Sequence, residues 1–128
     1  LSLPALMRSE KLVNRAAKVG FDWPDIDSVF EKMNEEIQEL KNELEANTIS
    51  RETVEEELGD MLLTVVSLAR HLQVNPELAL RRVGSKFEQR FRFVENRLEK
   101  DGNCPENASL EELKSLWQEA KLRKISKG

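Results

Sequence analysis

Between Ile26 and Ala46 the apolar residues fall at Ile26, Val29, Phe30, Met33, Ile37, Leu40 and Leu44. Steps of three and four gather them on one face of a helix and leave the acids, lysines and amides on the other. The same period runs through the rest of the chain, interrupted near Pro4, Pro24, Pro76 and Pro105. "LPALMRSEKLVNRAAKV" predicts a first helix that starts at a proline and stops at Gly20. "GFDWPD" is a loop carrying Phe21 and Trp23, expected to pack the loop down, and "NTIS" is a short turn. A third helix is expected from about Arg51 to Leu72. Asn75-Pro76 joins a capping side chain to a proline at the first helical position and opens a fourth helix to about Lys100. "DGNCPENA" reads as a loop, after which Ser109, with Glu112 one turn on, forms a capping box for a last helix ending near Ile125. No strand alternation, internal repeat or low-complexity segment interrupts the pattern. The prediction is all-α: a bundle of about five helices built around an antiparallel hairpin of the second and third.

Composition narrows this further. A chain of 128 residues suits one domain, residues 1–128, with a core of its own. Its 39% hydrophobic content and only 5 Gly and 4 Pro argue against disorder, and the absence of Tyr leaves few strand formers. A net charge of −4 gives no general reason to expect nucleic acid as a partner, although local basic residues can still meet phosphates. No apolar run approaches the roughly 18–20 residues of a membrane span, and no signal-peptide pattern is visible. Cys104 is the single cysteine, so no internal disulfide forms, which fits a reducing cytoplasm. The chain opens on Leu1 rather than Met, which suggests a fragment of a longer protein.

The chemistry is carried by two acidic runs. "EEIQE" (Glu35 to Glu39) lies on the second helix and "EEELGD" (Glu55 to Asp60) on the third. Glu36 and Glu39 are one turn apart on one helix face, as are Glu57 and Asp60. In an antiparallel hairpin, residues at the same height have numbers of constant sum, which sets Glu36 level with Asp60 and Glu39 level with Glu57. Four carboxylates thus converge on one seam, where they repel unless something offsets them. A hard divalent cation takes oxygen ligands, and Mg²⁺ keeps several waters of its own. Gly59 beside Asp60 costs about 1 kcal/mol in a helix, which makes sense if a neighbouring helix or a ligand must approach there. A single E-x-x-E in a chain with 24 acids is uninformative, and most acidic helix faces are simply solvated. Two pairs at matching height, flanked by Ile37 and Leu40 and by Leu58 and Met61, are much harder to obtain by accident.

Basic residues complement the acids. Lys32 stands one turn before Glu36, and Lys86 and Arg90 are four apart on the fourth helix, where they can hold phosphate oxygens or lie as ordinary exposed charges. Trp117 can stack on a nucleobase, or serve as a core residue as most lone helical tryptophans do. His71 has no E-x-x-H around it, so a di-iron bundle site is unsupported, and Cys104 has no base partner nearby. There is no Gly-rich phosphate loop and no nucleophile triad signature.

"EEIQE" followed by "ELGD" resembles the E-E-x-x-E…E-x-x-D signature of the MazG nucleoside triphosphate pyrophosphohydrolases. That family belongs to the all-α NTP pyrophosphohydrolase superfamily, with the dimeric dUTPases and phosphoribosyl-ATP pyrophosphatase. "LPALMR", "AAKVGFDWP", "LARHL" and "KFEQRFR" look like the second, catalytic domain of two-domain MazG proteins, so the resemblance covers nearly the whole chain up to about Cys104. It implies Mg²⁺-dependent hydrolysis of nucleoside triphosphates to the monophosphate and pyrophosphate, with Mn²⁺ as a possible substitute, broad base tolerance, ATP among the ligands and a homodimer completing the bundle. By motif, Glu36, Glu39, Glu57 and Asp60 would be the metal ligands and carry catalysis. Lys32, Lys86 and Arg90 would meet the triphosphate and Trp117 the nucleoside. Glu35 and Glu56 sit beside the substrate, and with Glu39 they are the candidate bases. The runner-up is a non-catalytic helical module whose acidic face binds a basic partner.

Overall fold

A computed structural model describes residues 4–123. Among them lie five α-helices and no strand: α1 (Ala5–Lys18), α2 (Ile26–Leu44), α3 (Arg51–Leu72), α4 (Pro76–Lys100) and α5 (Leu110–Leu122). The all-α expectation holds. α2 stops at Leu44, short of Ala46, and the loop after α4 contains a 3₁₀ turn at Pro105–Asn107 that the sequence reading treated as irregular. The expected end of the last helix near Ile125 lies outside the described residues.

Side chains fix the helix starts. Asp25 Oδ1 accepts from Ser28 N and Ser28 Oγ, both at 2.8 Å, at the head of α2. Ser50 Oγ accepts from Thr53 N at 3.2 Å, Asn75 Oδ1 from Glu77 N at 2.9 Å, and Ser109 Oγ from Glu112 N at 3.1 Å. Each bond from a backbone N satisfies an amide that the helix leaves without an internal partner. The ends of α1, α3 and α4 share one device, a residue of positive φ after which the chain folds back. At α1 it is Gly20 (φ 91°), with Phe21 N donating to Ala16 O at 2.9 Å. At α4 it is Gly102 (φ 72°), with Asn103 N donating to Leu98 O at 2.8 Å. At α3 the same bond runs from Val74 N to Ala69 O at 2.9 Å, but the left-handed residue is Gln73 (φ 59°).

The chain divides into two compact units, the first ending at Ala79 and the second beginning at Leu80. In the first, α2 and α1 both pack against α3. Glu43 Oε2 accepts from Ser50 N at 3.2 Å and ties the end of α2 to the start of α3, which closes the hairpin. The loop after α1 is held by Asp22, whose carboxylate meets Arg70 and His71 on α3, each at 3.2 Å. Phe21 and Trp23 do not pack that loop down: Phe21 is 79% exposed, and both line an open cleft of about 320 Å³ with Val13, Ala16, Leu63 and Ser67.

Burial in this unit departs from the simple apolar-face expectation. Val29 is buried on α2, but Phe30 and Leu44 are half exposed, and the charged Glu36 is buried at 3% exposure. On α3 the buried residues are Thr64, Val66, Ser67 and Ala69, while Leu58, Leu62, Leu63 and Val65 remain largely exposed. The physical reason is that α3 is apolar around more of its circumference than two neighbouring helices can cover. In the second unit Val94, Leu98 and Ala120 are buried, and α4 is linked to α5 by Arg97–Glu119 at 2.7 Å and by Phe87 against Trp117 at 5.0 Å.

Gln73 offers a direct test of this backbone reading. A left-handed non-glycine residue costs about 1–2 kcal/mol, of which glycine's greater unfolded freedom returns roughly 0.5–1. Gln73→Gly is expected to raise the melting temperature by a few degrees, and Gln73→Val to lower it. Thermal melts followed by circular dichroism decide it, and a lower melting temperature for the glycine variant would contradict the assigned geometry.

Candidate functional site

The antiparallel pairing of α2 and α3 brings acids from both helices to one place. Glu36, Glu39 and Glu57 each present a carboxylate oxygen within 4.8 Å of the other two. Glu36 lies three residues after Met33 and four before Leu40, inside the apolar stripe of α2, which is why it is buried. Its Oε2 accepts from Lys32 Nζ at 3.1 Å, one turn earlier on the same helix. Its Oε1 is enclosed and has no hydrogen-bond partner, and the same is true of Glu57 Oε1. Burying a polar oxygen without a donor costs about 1–3 kcal/mol, and more when it is charged. Two such oxygens on facing helices, in a cluster of three carboxylates, form a donor set that a divalent cation satisfies.

Protonation equilibria carry the same signature. Loss of solvent, a hydrogen bond with Glu39, and the charges of Glu39, Glu36 and Asp60 hold the Glu57 carboxyl above its ordinary range. Lys32 likewise holds its proton more tightly than an ordinary lysine, which for a base favours the charged form, chiefly through its hydrogen bond to Glu36, with the charges of Glu36, Glu35 and Glu39 adding to it. One ammonium thus offsets part of the negative charge but reaches only one oxygen of Glu36.

The structure assembles three of the four expected ligands. Asp60 is exposed and is not among the three whose oxygens meet, although its charge is felt at Glu57. Its side chain is one methylene shorter than glutamate, and its backbone oxygen accepts from Thr64 Oγ1 at 2.9 Å. Of the two reasons expected for Gly59, a neighbouring helix or a ligand, the first is corrected: among the described residues nothing comes within 4 Å of a Cβ placed there. Glu35 and Glu56 are exposed beside the cluster in sequence. Lys86, Arg90 and Trp117 belong to the second unit. There Arg92 pairs with Glu88 and Arg97 with Glu119, both at 2.7 Å, whereas Lys86 and Arg90 make no ion pair among the described residues. Trp117 is partly buried against Phe87, which satisfies its core role on one side. His71 is engaged with Asp22, and Cys104 Sγ accepts from Asn107 Nδ2 at 3.3 Å, so neither joins the acids. The sequence reading had no expectation for Asp22, whose link to Arg70 and His71 spans two separate segments.

An all-α hairpin with a carboxylate cluster suited to a divalent cation is the class these features define. Residues 25–94, more than half of the chain, match the MazG nucleotide pyrophosphohydrolase domain. The chain is 42% identical over 124 residues to a nucleoside triphosphate pyrophosphohydrolase of Escherichia coli strain K12, covering 97% of this chain and 47% of that protein. It is 41% identical over 119 residues to the nucleoside triphosphate pyrophosphohydrolase/pyrophosphatase MazG of Thermotoga maritima, covering 93% and 45%. A further relative, the uncharacterized protein YabN of Bacillus subtilis, is 38% identical over 65 residues, 51% of this chain and 13% of that protein. The chain belongs to the MazG domain family, and it spans about half the length of the E. coli and Thermotoga relatives.

The raised Glu57 carboxyl makes a prediction that needs no substrate. The fold disfavours the charged form, so folded protein keeps this proton at a pH where the unfolded chain has lost it. Its contribution to stability is therefore present below the ordinary value of 4.5 and is lost as pH rises through the folded value. In chelator at neutral pH, Glu57→Gln is expected to melt above wild type, and the gap should close as pH falls below about 4.5. Added Mg²⁺ should raise the wild-type melting temperature and raise the variant's much less, because only the folded site binds the ion. Equal melting temperatures at neutral pH with equal Mg²⁺ shifts would mean that the cluster is an ordinary solvated face.

Proposed function

We propose that this domain hydrolyses nucleoside triphosphates to nucleoside monophosphate and pyrophosphate with Mg²⁺, with Mn²⁺ able to replace it. One observation carries the reading: the two enclosed, partnerless oxygens of Glu36 and Glu57 within a carboxylate cluster. The alternative of a non-catalytic acidic face for a basic partner requires solvated oxygens, which these are not. Glu36, Glu39 and Glu57 hold the ion, and Asp60 joins them as a fourth ligand when it is bound. The bound ion supplies charge neutralisation of the phosphates and acidifies water. Lys86 and Arg90 take phosphate oxygens, Arg as a fork and Lys as a point charge, and Lys32 donates to one oxygen of Glu36. Water attacks the α-phosphorus, the bond from that phosphorus to the bridging oxygen breaks, and pyrophosphate leaves with the bridging oxygen. The water's proton passes to a carboxylate, with Glu35, Glu39 and Glu56 as the groups in reach of the role. Phosphate contacts carry no base information, which accounts for broad base tolerance, with ATP one substrate among several.

The exposed Leu58, Leu62 and Val65 share one side of α3, the face on which a second copy completes the bundle as a homodimer. No helix among the described residues is long and apolar enough to cross a membrane, and the reading places the enzyme in the cytoplasm with free nucleotides as partners rather than nucleic acid.

The test is product analysis. Wild-type protein with Mg²⁺ and each NTP should yield NMP and pyrophosphate, and chelator should stop it. Glu39→Gln and Asp60→Asn are expected to lose on the order of 10²-fold or more in kcat with helix content retained. Near-normal turnover by Asp60→Asn would remove Asp60 from the site, and release of single phosphate instead of pyrophosphate would reject the reaction. Lys86→Ala and Arg90→Ala should raise KM for all NTPs alike; a change confined to one base would reassign them.

A further inference from the structure

Lys32 Nζ lies 3.1 Å from Glu36 Oε2, one turn earlier on α2. The order of this pair is the poorer one for helix stability, because an acid four residues before its base gains more than a base four residues before its acid. Nor is it an ordinary surface pair: the Glu36 side chain is 4% exposed and that of Lys32 is 32%. Lys32 brings its ammonium to a carboxylate that water hardly reaches. The result is an asymmetric carboxylate. Oε2 has a cationic donor, whereas Oε1 is enclosed and has no partner. Glu36 can give the free oxygen to an ion, but it cannot give both without losing the ammonium, which would then stand beside a second cation without its own partner. The two common hard divalent cations differ on this point. Mg²⁺ holds about six oxygens in a tight octahedron at about 2.0–2.1 Å, and one oxygen from each carboxylate suits it. Ca²⁺ sits at about 2.3–2.6 Å and takes roughly six to eight oxygens, a number it often reaches through bidentate carboxylates. A carboxylate with one oxygen already engaged favours the smaller ion.

We propose that Lys32 is a positioning residue that limits Glu36 to one oxygen for the metal and thereby sets the preference of the site for Mg²⁺ over Ca²⁺. The assignment rests on the metal-binding reading above. It differs from a contact with the triphosphate, because the ammonium is already engaged with Glu36.

The experiment titrates Mg²⁺ and Ca²⁺ separately against nucleotide-free protein and takes each Kd from the rise in melting temperature. Wild type is expected to bind Mg²⁺ more tightly, a result read independently of any variant. Lys32→Met keeps an unbranched stem and removes the ammonium. Loss of that charge favours both ions alike, since both are divalent, so the ratio of the two affinities isolates the geometry of Glu36. That ratio is expected to move about tenfold toward Ca²⁺, the size of effect exerted by a side chain that orients a metal ligand. Lys32→Arg keeps a cationic donor and should stay close to wild type. Circular dichroism checks that helix content is retained. An unchanged ratio in Lys32→Met would overturn the proposal and leave the hydrolytic reading standing, as would a Lys32→Arg ratio displaced equally far or a wild type that binds Ca²⁺ more tightly. An unchanged ratio joined to a raised KM for every NTP would return Lys32 to the triphosphate. A wild type whose melting responds to neither ion overturns the metal reading and the proposal together.

Discussion

Mutual repulsion among carboxylates on one helix seam is the constraint around which this domain is organised. Glu36, Glu39 and Glu57 are close enough that ionising all of them is unfavourable without a counter-charge, and Glu57 shows it by holding its proton too long. The chain supplies only part of the remedy. Lys32 reaches one oxygen of Glu36, and the remaining enclosed oxygens have no donor. A cation held there would satisfy these two buried acceptors, and its binding would then be linked to the stability of the hairpin.

That linkage requires the seam to be rigid. The side-chain caps at Asp25, Ser50, Asn75 and Ser109 fix where helices begin, and the fold-back bonds after α1, α3 and α4 fix where they stop. Between α2 and α3 the register is set by the short connection and by the bond from Ser50 N to Glu43 Oε2. A slip by one residue would turn Glu57 away from Glu39 by about 100° and scatter the cluster. Asp22, gripped by Arg70 and His71, holds the loop after α1 against the far end of α3 in the same way.

Work is divided between the two compact units. The first concentrates negative charge on the hairpin, and the second presents cations and aromatic rings on α4 and α5. Arg92 and Arg97 pair with glutamates, whereas Lys86 and Arg90 make no ion pair among the described residues.

Much of this was legible along the chain. The helical period, the prolines at helix starts and the Asn and Ser caps determined the elements within a residue or two, because they act through neighbours in sequence. Constant-sum pairing in a hairpin with a short connection determined that Glu39 faces Glu57. The position of Glu36 within the apolar stripe was visible too, yet its burial depended on how α3 packs over it. Tertiary structure alone decided that Asp60 stands off from the trio, that Gly59 faces open space, that Phe21 is exposed, and that Asp22 joins Arg70 and His71. Each of these depends on distances between residues remote in sequence, set by helix packing and side-chain reach. Periodicity assigns a residue to a face; only packing in three dimensions decides what that face meets.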